Sequence, residues 1–210
     1  MDVYFVRHGE SEHNAGFSTS TDSPLTPLGR EQARSTGKRL AGLGLEALYC
    51  SPQLRALETA EILRAYLDLQ PQVCLQLSER CFCWDEPGLP RSEILHQFPN
   101  HILPAEVDEE GWARHWSHET REQLYERVKP VATAITELAM ANVVGTIGIV
   151  IHGGCGDMLL HHLLGVPLTA SVRFHHDNCG LTLLRFEENC QLKLVFLNNT
   201  AHLAALTKRL

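Results

Sequence analysis

Four short stretches of the chain carry side chains suited to handling a phosphoryl group. The first is Arg7-His8-Gly9-Glu10-Ser11. It ends an apolar, strand-like run, so the histidine would be held rigidly, and Gly9 permits a tight turn and close backbone approach. Arg7 offers a planar fork of donors that matches phosphate oxygens, and Asn14, six residues past His8, can donate once more. The second stretch is Ser51-Pro52-Gln53-Leu54-Arg55. Arg55 falls in the first turn of an expected helix, where unpaired backbone N–H groups favour an anion. The third is Val150-Ile151-His152-Gly153-Gly154, a second histidine at a strand end with glycine behind it. The fourth is Leu77-Ser78-Glu79-Arg80. A carboxyl at Glu79 could protonate a leaving oxygen and later accept a proton from water.

Each stretch alone also has an ordinary structural reading. His8 could make local strand-end hydrogen bonds, Arg55 could be a solvated helix arginine, and Glu79 could pair with Arg80. Together they describe a purpose. Two histidines and two arginines aimed into one crevice can neutralise and orient a group whose charge is spread over three oxygens. One histidine can act as nucleophile while the other stabilises the transferring group.

The elements between these stretches decide whether they can meet. Residues 3–7 read as a buried strand. Thr26-Pro27 supplies a helix cap and a first-turn proline for a helix ending at Leu40. Residues 47–50 read as a second strand, and Ser51-Pro52 repeats the cap-and-proline signal for a helix through Leu67. Residues 73–77 suggest a third strand, and 93–98 a short helix inside an irregular stretch. A long helix is expected over 119–139, a β-branched central strand over 146–151, and a helix over 156–164 stopped by Gly165 and Pro167. Residues 181–186 and 192–197 read as a closing hairpin. Strands alternating with helices predict a three-layer α/β/α sandwich around a mostly parallel sheet. The active crevice of such a sheet lies at the carboxyl ends of its strands. That rule brings the His8, Arg55 and His152 segments together.

With these blocks in this order, the chain resembles the histidine phosphatase superfamily, in its phosphoglycerate mutase-like branch. Arg7-His8-Gly9-Glu10-Ser11 with Asn14 is similar to the family's opening signature. Asp22-x-Pro24-Leu25-Thr26-x-x-Gly29-x-x-Gln32-Ala33 is similar to its second block, and Ser51-Pro52 with Arg55-Ala56-x-x-Thr59-Ala60 to its third. Leu77-x-Glu79 and His152-Gly153 complete the set. The resemblance covers nearly the whole chain. It implies that His8 becomes a phosphohistidine and that Glu79 is the proton donor. It also implies that Arg7, Arg55, His152, Asn14 and Gly153 bind the phosphate, and that neither a metal nor an organic cofactor is needed. Two stretches depart from the pattern. Residues 17–21 read Phe-Ser-Thr-Ser-Thr where the family often has a glycine-rich stretch and a glutamine. The block after Glu79 reads Phe82-Cys83-Trp84-Asp85-Glu86-Pro87, which makes Asp85 or Glu86 the substitute acid. Residues 84–118 are expected to form a lid within a single domain of residues 1–210.

Composition narrows the partners. Apolar residues make up 44% of the 210, enough for one sizeable core, and the formal charge of −7 with no basic block disfavours nucleic acid and anionic membrane. Apolar runs are too short to span a bilayer, and the start lacks the pattern of a signal peptide. These features suggest a cytosolic protein acting on a small phosphorylated substrate; a homodimer is an allowed assembly. The seven cysteines, at 50, 74, 81, 83, 155, 179 and 190, read as reduced thiols. Cys81-x-Cys83 lacks further ligands for a metal. Cys155 reads as a helix-start thiol, with oxidation sensitivity as its alternative.

Three functions compete: a phosphomonoester phosphatase, a bisphosphoglycerate-dependent mutase, and a non-catalytic module that keeps the fold. Filled catalytic positions disfavour the third. Against the second, residues 83–110 contain Arg91 as their one Lys or Arg, beside Asp85, Glu86, Glu93, Glu106, Asp108, Glu109 and Glu110. A cleft mouth of that composition would repel a bisphosphate.

Overall fold

The structure is a computed structural model and describes residues 1–80, 86–113, 118–188 and 191–207. Its centre is a six-stranded sheet in the order β3-β2-β4-β1-β5-β6. The strands are β1 (Asp2–Arg7), β2 (Ala47–Cys50), β3 (Pro71–Val73), β4 (Thr146–Ile151), β5 (Leu181–Phe186) and β6 (Leu192–Asn199). β3, β2, β4 and β1 run parallel, while β5 and β6 are antiparallel at one edge. This is the mostly parallel sheet that the sequence predicts.

The alternation along each central strand builds two cores. Val3 and Phe5 of β1, with Ile147, Ile149 and Ile151 of β4, pack against α4 (Arg121–Ala141) and α5 (Gly153–Leu163). Tyr4 and Val6, with Leu48 and Val150, face α1 (Pro27–Leu40) and α2 (Leu54–Leu67). The result is the three-layer α/β/α sandwich. Each large apolar side chain buried this way contributes about 1.5–3 kcal/mol. α3 (Arg91–Gln97) joins the α2 side, where Ile94, Phe98, Leu103, Val107 and Trp112 bury themselves.

Capping sets where the helices begin. Thr26 accepts from the Gly29 amide at 3.0 Å and Pro27 opens α1. Thr120 and Gln123 form a reciprocal capping box for α4. α2 differs from expectation: its cap residue is Gln53, which makes no side-chain cap bond. Ser51 turns back to the Gln53 amide instead, and the Leu54 amide is capped from a distance by Asp22 at 2.7 Å.

Two other boundaries are corrected. The third strand is Pro71–Val73, and Leu75–Leu77 is a 3-10 turn closed by the Leu77 amide on the Cys74 carbonyl. The i, i+2 leucines mimic strand alternation, but the turn sends Leu75 into one core and Leu77 into the other. α5 starts at Gly153, three residues before the expected Gly156, because the Gly156 amide already bonds the His152 carbonyl at 2.9 Å. The remaining expected elements agree with the structure to within two residues at their ends. A short α6 (Ala204–Thr207) follows β6. Among the described residues no helix is long and apolar enough to cross a membrane.

Candidate active site

The ends of β1, β2 and β4 bring His8, Arg55 and His152 into one buried cluster, as the strand-end rule requires. All three side chains are nearly inaccessible, at 2%, 7% and 0% exposure. Gly9 earns its place beside His8 by contact: a Cβ there would lie 2.4 Å from the Gly29 carbonyl oxygen. The Gly9 amide donates to Thr59 Oγ1 at 3.1 Å. His8 Nδ1 lies 2.7 Å from the Gly9 carbonyl oxygen. A carbonyl only accepts, so Nδ1 carries the proton and Nε2 keeps the lone pair. Arg55 Nε donates to that same Nε2 at 3.1 Å. The arginine is therefore directed at the atom that would bond phosphorus.

The His8 and His152 rings lie 4.9 Å apart between centroids. Burial holds both imidazoles well below their ordinary pKa, and the nearby Arg55 and Arg7 charges push the same way. Both shifts favour the neutral ring, which leaves Nε2 of His8 with a free lone pair. Neither ring nitrogen of His152 has a hydrogen-bond partner among the described residues, although the ring is fully buried. Unfilled buried donors are costly unless a ligand fills them. Arg7 shows the same incompleteness: Nη1 donates to the His176 carbonyl at 2.6 Å, while Nε lacks a partner.

Glu79 enters from the end of the 3-10 turn. Its Oε2 accepts from the Gly154 amide in the first turn of α5 at 2.8 Å, and its Oε1 from the Arg80 amide at 2.7 Å. Residue 154 must be glycine for this approach, because a Cβ would lie 2.5 Å from Glu79 Oε1. The Gly153 position is roomier, with the Arg7 guanidinium 4.0 Å from where a Cβ would stand. Asn14 accepts from the Ser11 amide and from Asn178 Nδ2 through Oδ1, which leaves its amide end to donate.

Several residues that hold this cluster were given no role by sequence reasoning, although Asp22 and Gln53 fall within the quoted blocks. Gln53 Oε1 accepts from the Glu79 amide at 2.7 Å. Arg127 on α4 donates to the Gln76 and Ser78 carbonyls and pairs with Glu119 at 2.6 Å, so it pins the turn that delivers Glu79. The Cys179 amide bonds the Arg7 and His8 carbonyls from a backbone at φ +57°, and Asn178 Nδ2 bonds the His8 carbonyl at 3.0 Å. Asp22 caps α2 beside Arg55, and burial raises its pKa to about 6. The roles of these residues have no local signal, because their bonds to the site segments span 26 to 172 residues of chain. Residues 17–21, which depart from the family pattern, still serve the site: the Thr21 carbonyl accepts from Arg55 Nη1.

The substitute acids separate. Asp85 lies outside the described residues, as do Cys81, Cys83, Trp84, His115 and Trp116. Glu86 accepts from Ser20 Oγ at 2.7 Å. Cys155 is fully buried, and burial pushes its thiol pKa far up, so the oxidation-sensitive alternative loses its chemical basis. No group of three or more His, Cys, Asp or Glu side chains able to hold a metal exists among the described residues. A cavity of about 550 Å³ opens beside Glu79, lined with Arg80, Arg121 and Arg173, and Glu93, Glu106, Asp108, Glu109 and Glu110 do not line it. Glu109 instead holds Ser92 at the start of α3, and Arg91 donates to the Pro104 and Val107 carbonyls.

Other proteins resemble the chain in sequence and in fold. A Hydrogenobacter thermophilus protein named "Putative phosphoserine phosphatase 2" is 30% identical, over 98% of each chain. A Salmonella arizonae protein named "Probable phosphoglycerate mutase GpmB" is 28% identical over 90% of this chain and 86% of its own. A phosphoserine phosphatase from Entamoeba histolytica, solved with 3-phosphoglyceric acid, superposes with a TM-score of 0.68 at 24% identity, over 96% of this chain and 98% of that one. That likeness shows the fold. The family model for branch 1 of the histidine phosphatase superfamily matches residues 3–200, the span from the first strand past the last, within which every group of the pocket falls. The chain belongs to that superfamily.

Proposed function

We propose that the chain is a phosphomonoester phosphatase that hydrolyses a small phosphorylated metabolite through a phosphohistidine at His8. The observation that carries the reading is the tautomer: Nδ1–H is committed to the Gly9 carbonyl and the Nε2 lone pair faces Arg55. Nε2 attacks phosphorus, and the bond to the leaving oxygen breaks with its electrons on that oxygen. Protonated Glu79 supplies the proton. Water then attacks the phosphohistidine, gives its proton to the Glu79 carboxylate, and the P–Nε2 electrons return to the ring. Arg7, Arg55, His152, Asn14 and the Gly153 amide hold the phosphoryl oxygens and stabilise the charge that spreads over them.

This chemistry uses arginine, histidine and backbone donors, so the proposal includes independence from metal and from organic cofactors, in a cytosolic setting. Activity should survive exhaustive chelation and be blocked by vanadate; loss on chelation with rescue by one metal contradicts it. Residues 84–118 are taken as the cover of the site. The Ser20–Glu86 bond and the Asp22–Trp112 contact support this, since both tie that segment to the loop beside Arg55.

Water as acceptor is supported by the end-to-end relative named as a phosphoserine phosphatase and by the cavity that opens at Glu79. The mutase remains the second reading, favoured by mutase-named relatives and by the arginines of that cavity. Supplying 3-phosphoglycerate with catalytic 2,3-bisphosphoglycerate separates the two. Free phosphate is expected; isomerisation much faster than phosphate release would overturn the phosphatase assignment. The non-catalytic alternative predicts neither product.

A further inference from the structure

One turn, residues 177–180, grips the backbone that carries Arg7 and His8. The Cys179 amide bonds the Arg7 carbonyl at 2.9 Å and the His8 carbonyl at 3.2 Å, and Asn178 Nδ2 bonds the His8 carbonyl at 3.0 Å. The Gly180 carbonyl accepts from the Arg7 amide at 3.4 Å. Asn178 Nδ2 also donates to Asn14 Oδ1 at 3.2 Å. The turn is not a conformation that its residues choose alone. Cys179 stands at φ +57°, in the left-handed region, which a non-glycine residue keeps only where its surroundings fix it.

Those surroundings come from the segment after β6 begins to leave the sheet. Asn198, itself at φ +52°, accepts from the Asp177 amide through Oδ1 at 2.7 Å and donates from Nδ2 to Asp177 Oδ2 at 2.8 Å. Its own amide donates to Thr182 Oγ1 at 3.1 Å, just past the turn. A Cβ at residue 180 would lie 2.2 Å from Asn198 Oδ1, so glycine there lets this clasp close. His202 fastens the other side. Thr36 Oγ1 on α1 donates to the Gln32 carbonyl at 2.9 Å, so its lone pair accepts from His202 Nε2–H, 3.0 Å away. Both residues reach Cys179, Thr36 at its thiol and His202 at its backbone. Leu203 completes the contact by burying against Cys179 and Ala33.

We infer that Asn198 and His202 are positioning residues for the reaction: they hold the 177–180 turn in its left-handed form, and the turn holds the His8 backbone where Nε2 meets phosphorus. Neither residue touches the reacting atoms. The Gly9 carbonyl sets the rotation of the His8 ring through Nδ1, while the clasp sets where the residue as a whole stands. This rests on the reading of His8 as the nucleophile.

The test is a split between rate and binding on the full chain, with p-nitrophenyl phosphate as the probe. Release of p-nitrophenolate in the first turnover reports phosphorylation of His8 directly. In His202→Leu that rate at saturation should fall roughly tenfold, while the half-saturating concentration stays within about twofold, because a misplaced nucleophile loses rate and not binding. His202→Gln, whose side-chain amide can donate to Thr36 from nearly the same place, should recover most of the loss. Asn198→Gly keeps the left-handed backbone and removes both side-chain bonds to Asp177; it should slow the same step roughly fivefold. It carries the test should His202→Leu not fold. A loss of stability in denaturant with the first-turnover rate unchanged in both variants would confine the clasp to the fold and overturn the inference. Equal losses in His202→Leu and His202→Gln, or an effect on half-saturation alone, would overturn it as well. All three outcomes leave the phosphatase reading standing. A wild type that forms no phosphoenzyme and releases no p-nitrophenolate would overturn that reading, and this inference with it.

Discussion

The proposed phosphate pocket and the cavity beside it meet at Glu79, yet they are built in different ways. The pocket hangs on the ends of three adjacent parallel strands, and its reactive side chains are buried and pinned within a few residues of those ends. The cavity is walled by the start of α4, the first turns of α5 and the loop before β5, with Arg173 63% exposed at its rim. Strand ends in a sheet cannot move independently, so they suit a constellation that must hold its geometry through a reaction. Helix starts and loops change without disturbing the sheet, so they suit the contacts that choose a substrate.

The largest expected effect lies in the pocket. His8→Ala should lower turnover by roughly 10⁴-fold or more, as removal of a covalent nucleophile does. The acid-labile, base-stable phosphoenzyme seen after brief exposure to labelled substrate should vanish with it. A label that persists in this variant would assign the nucleophile to another residue.

Glu79 sits on the boundary, and its loss should depend on the leaving group. Glu79→Gln should slow hydrolysis of an alkyl monoester by roughly 10²–10³-fold. It should slow p-nitrophenyl phosphate far less, because that leaving group departs without a proton. Equal losses on both substrates would remove Glu79 from proton transfer and turn attention to Glu86.

Arg127 tests whether α4, which belongs to the cavity, also supports the pocket. Its pairing with Glu119 is almost fully buried, with side chains 6% and 4% exposed. Arg127→Met would leave that carboxylate unpaired and should cost about 3 kcal/mol in denaturant unfolding. It should also lower kcat about tenfold, because the Gln76 and Ser78 carbonyls that fix Glu79 lose their donor. A stability loss with kcat unchanged would confine Arg127 to the fold.

The smallest effect concerns pH. Burial raises Asp22 from 3.8 to about 6 in the folded chain, so the fold binds its proton more tightly than the unfolded chain does. Its contribution is fully present below about pH 4 and is lost as pH rises through about 6, on the order of 3 kcal/mol. His8 and His152 act with the opposite sign. Their folded pKa values are depressed, so the stability they contribute is present above about pH 6.5 and falls away on acidification. Comparing wild type with Asp22→Asn cancels the histidine contribution. The unfolding free energy of the wild type should gain on the variant as pH falls from 7 to about 4. A difference that is flat with pH would mean that Asp22 titrates as it would in water.

The local patterns of the chain were enough for the sheet, the helices and the clustering of His8, Arg55 and His152 at the strand ends. β-branched and apolar alternation marked the central strands, Thr26-Pro27 marked α1, and glycines after His8 and His152 marked the turns that aim them. These signals are legible because each acts within a few residues: a strand end, the next turn and the side chain it carries are contiguous in sequence. Tertiary structure decided what has no contiguous trace. The cap of α2 comes from Asp22 rather than Ser51. The leucines expected to extend the third strand form a turn because two cores compete for them. Glu93, Glu106, Asp108, Glu109 and Glu110, counted together along the chain, do not line the cavity beside Glu79. Arg80, Arg121 and Arg173 line the cavity beside Glu79, and only packing of α4 and α5 on one face of the sheet brings them to one wall. Electrostatic environment depends on distance through space, and distance along a chain folded into three layers is a poor measure of it.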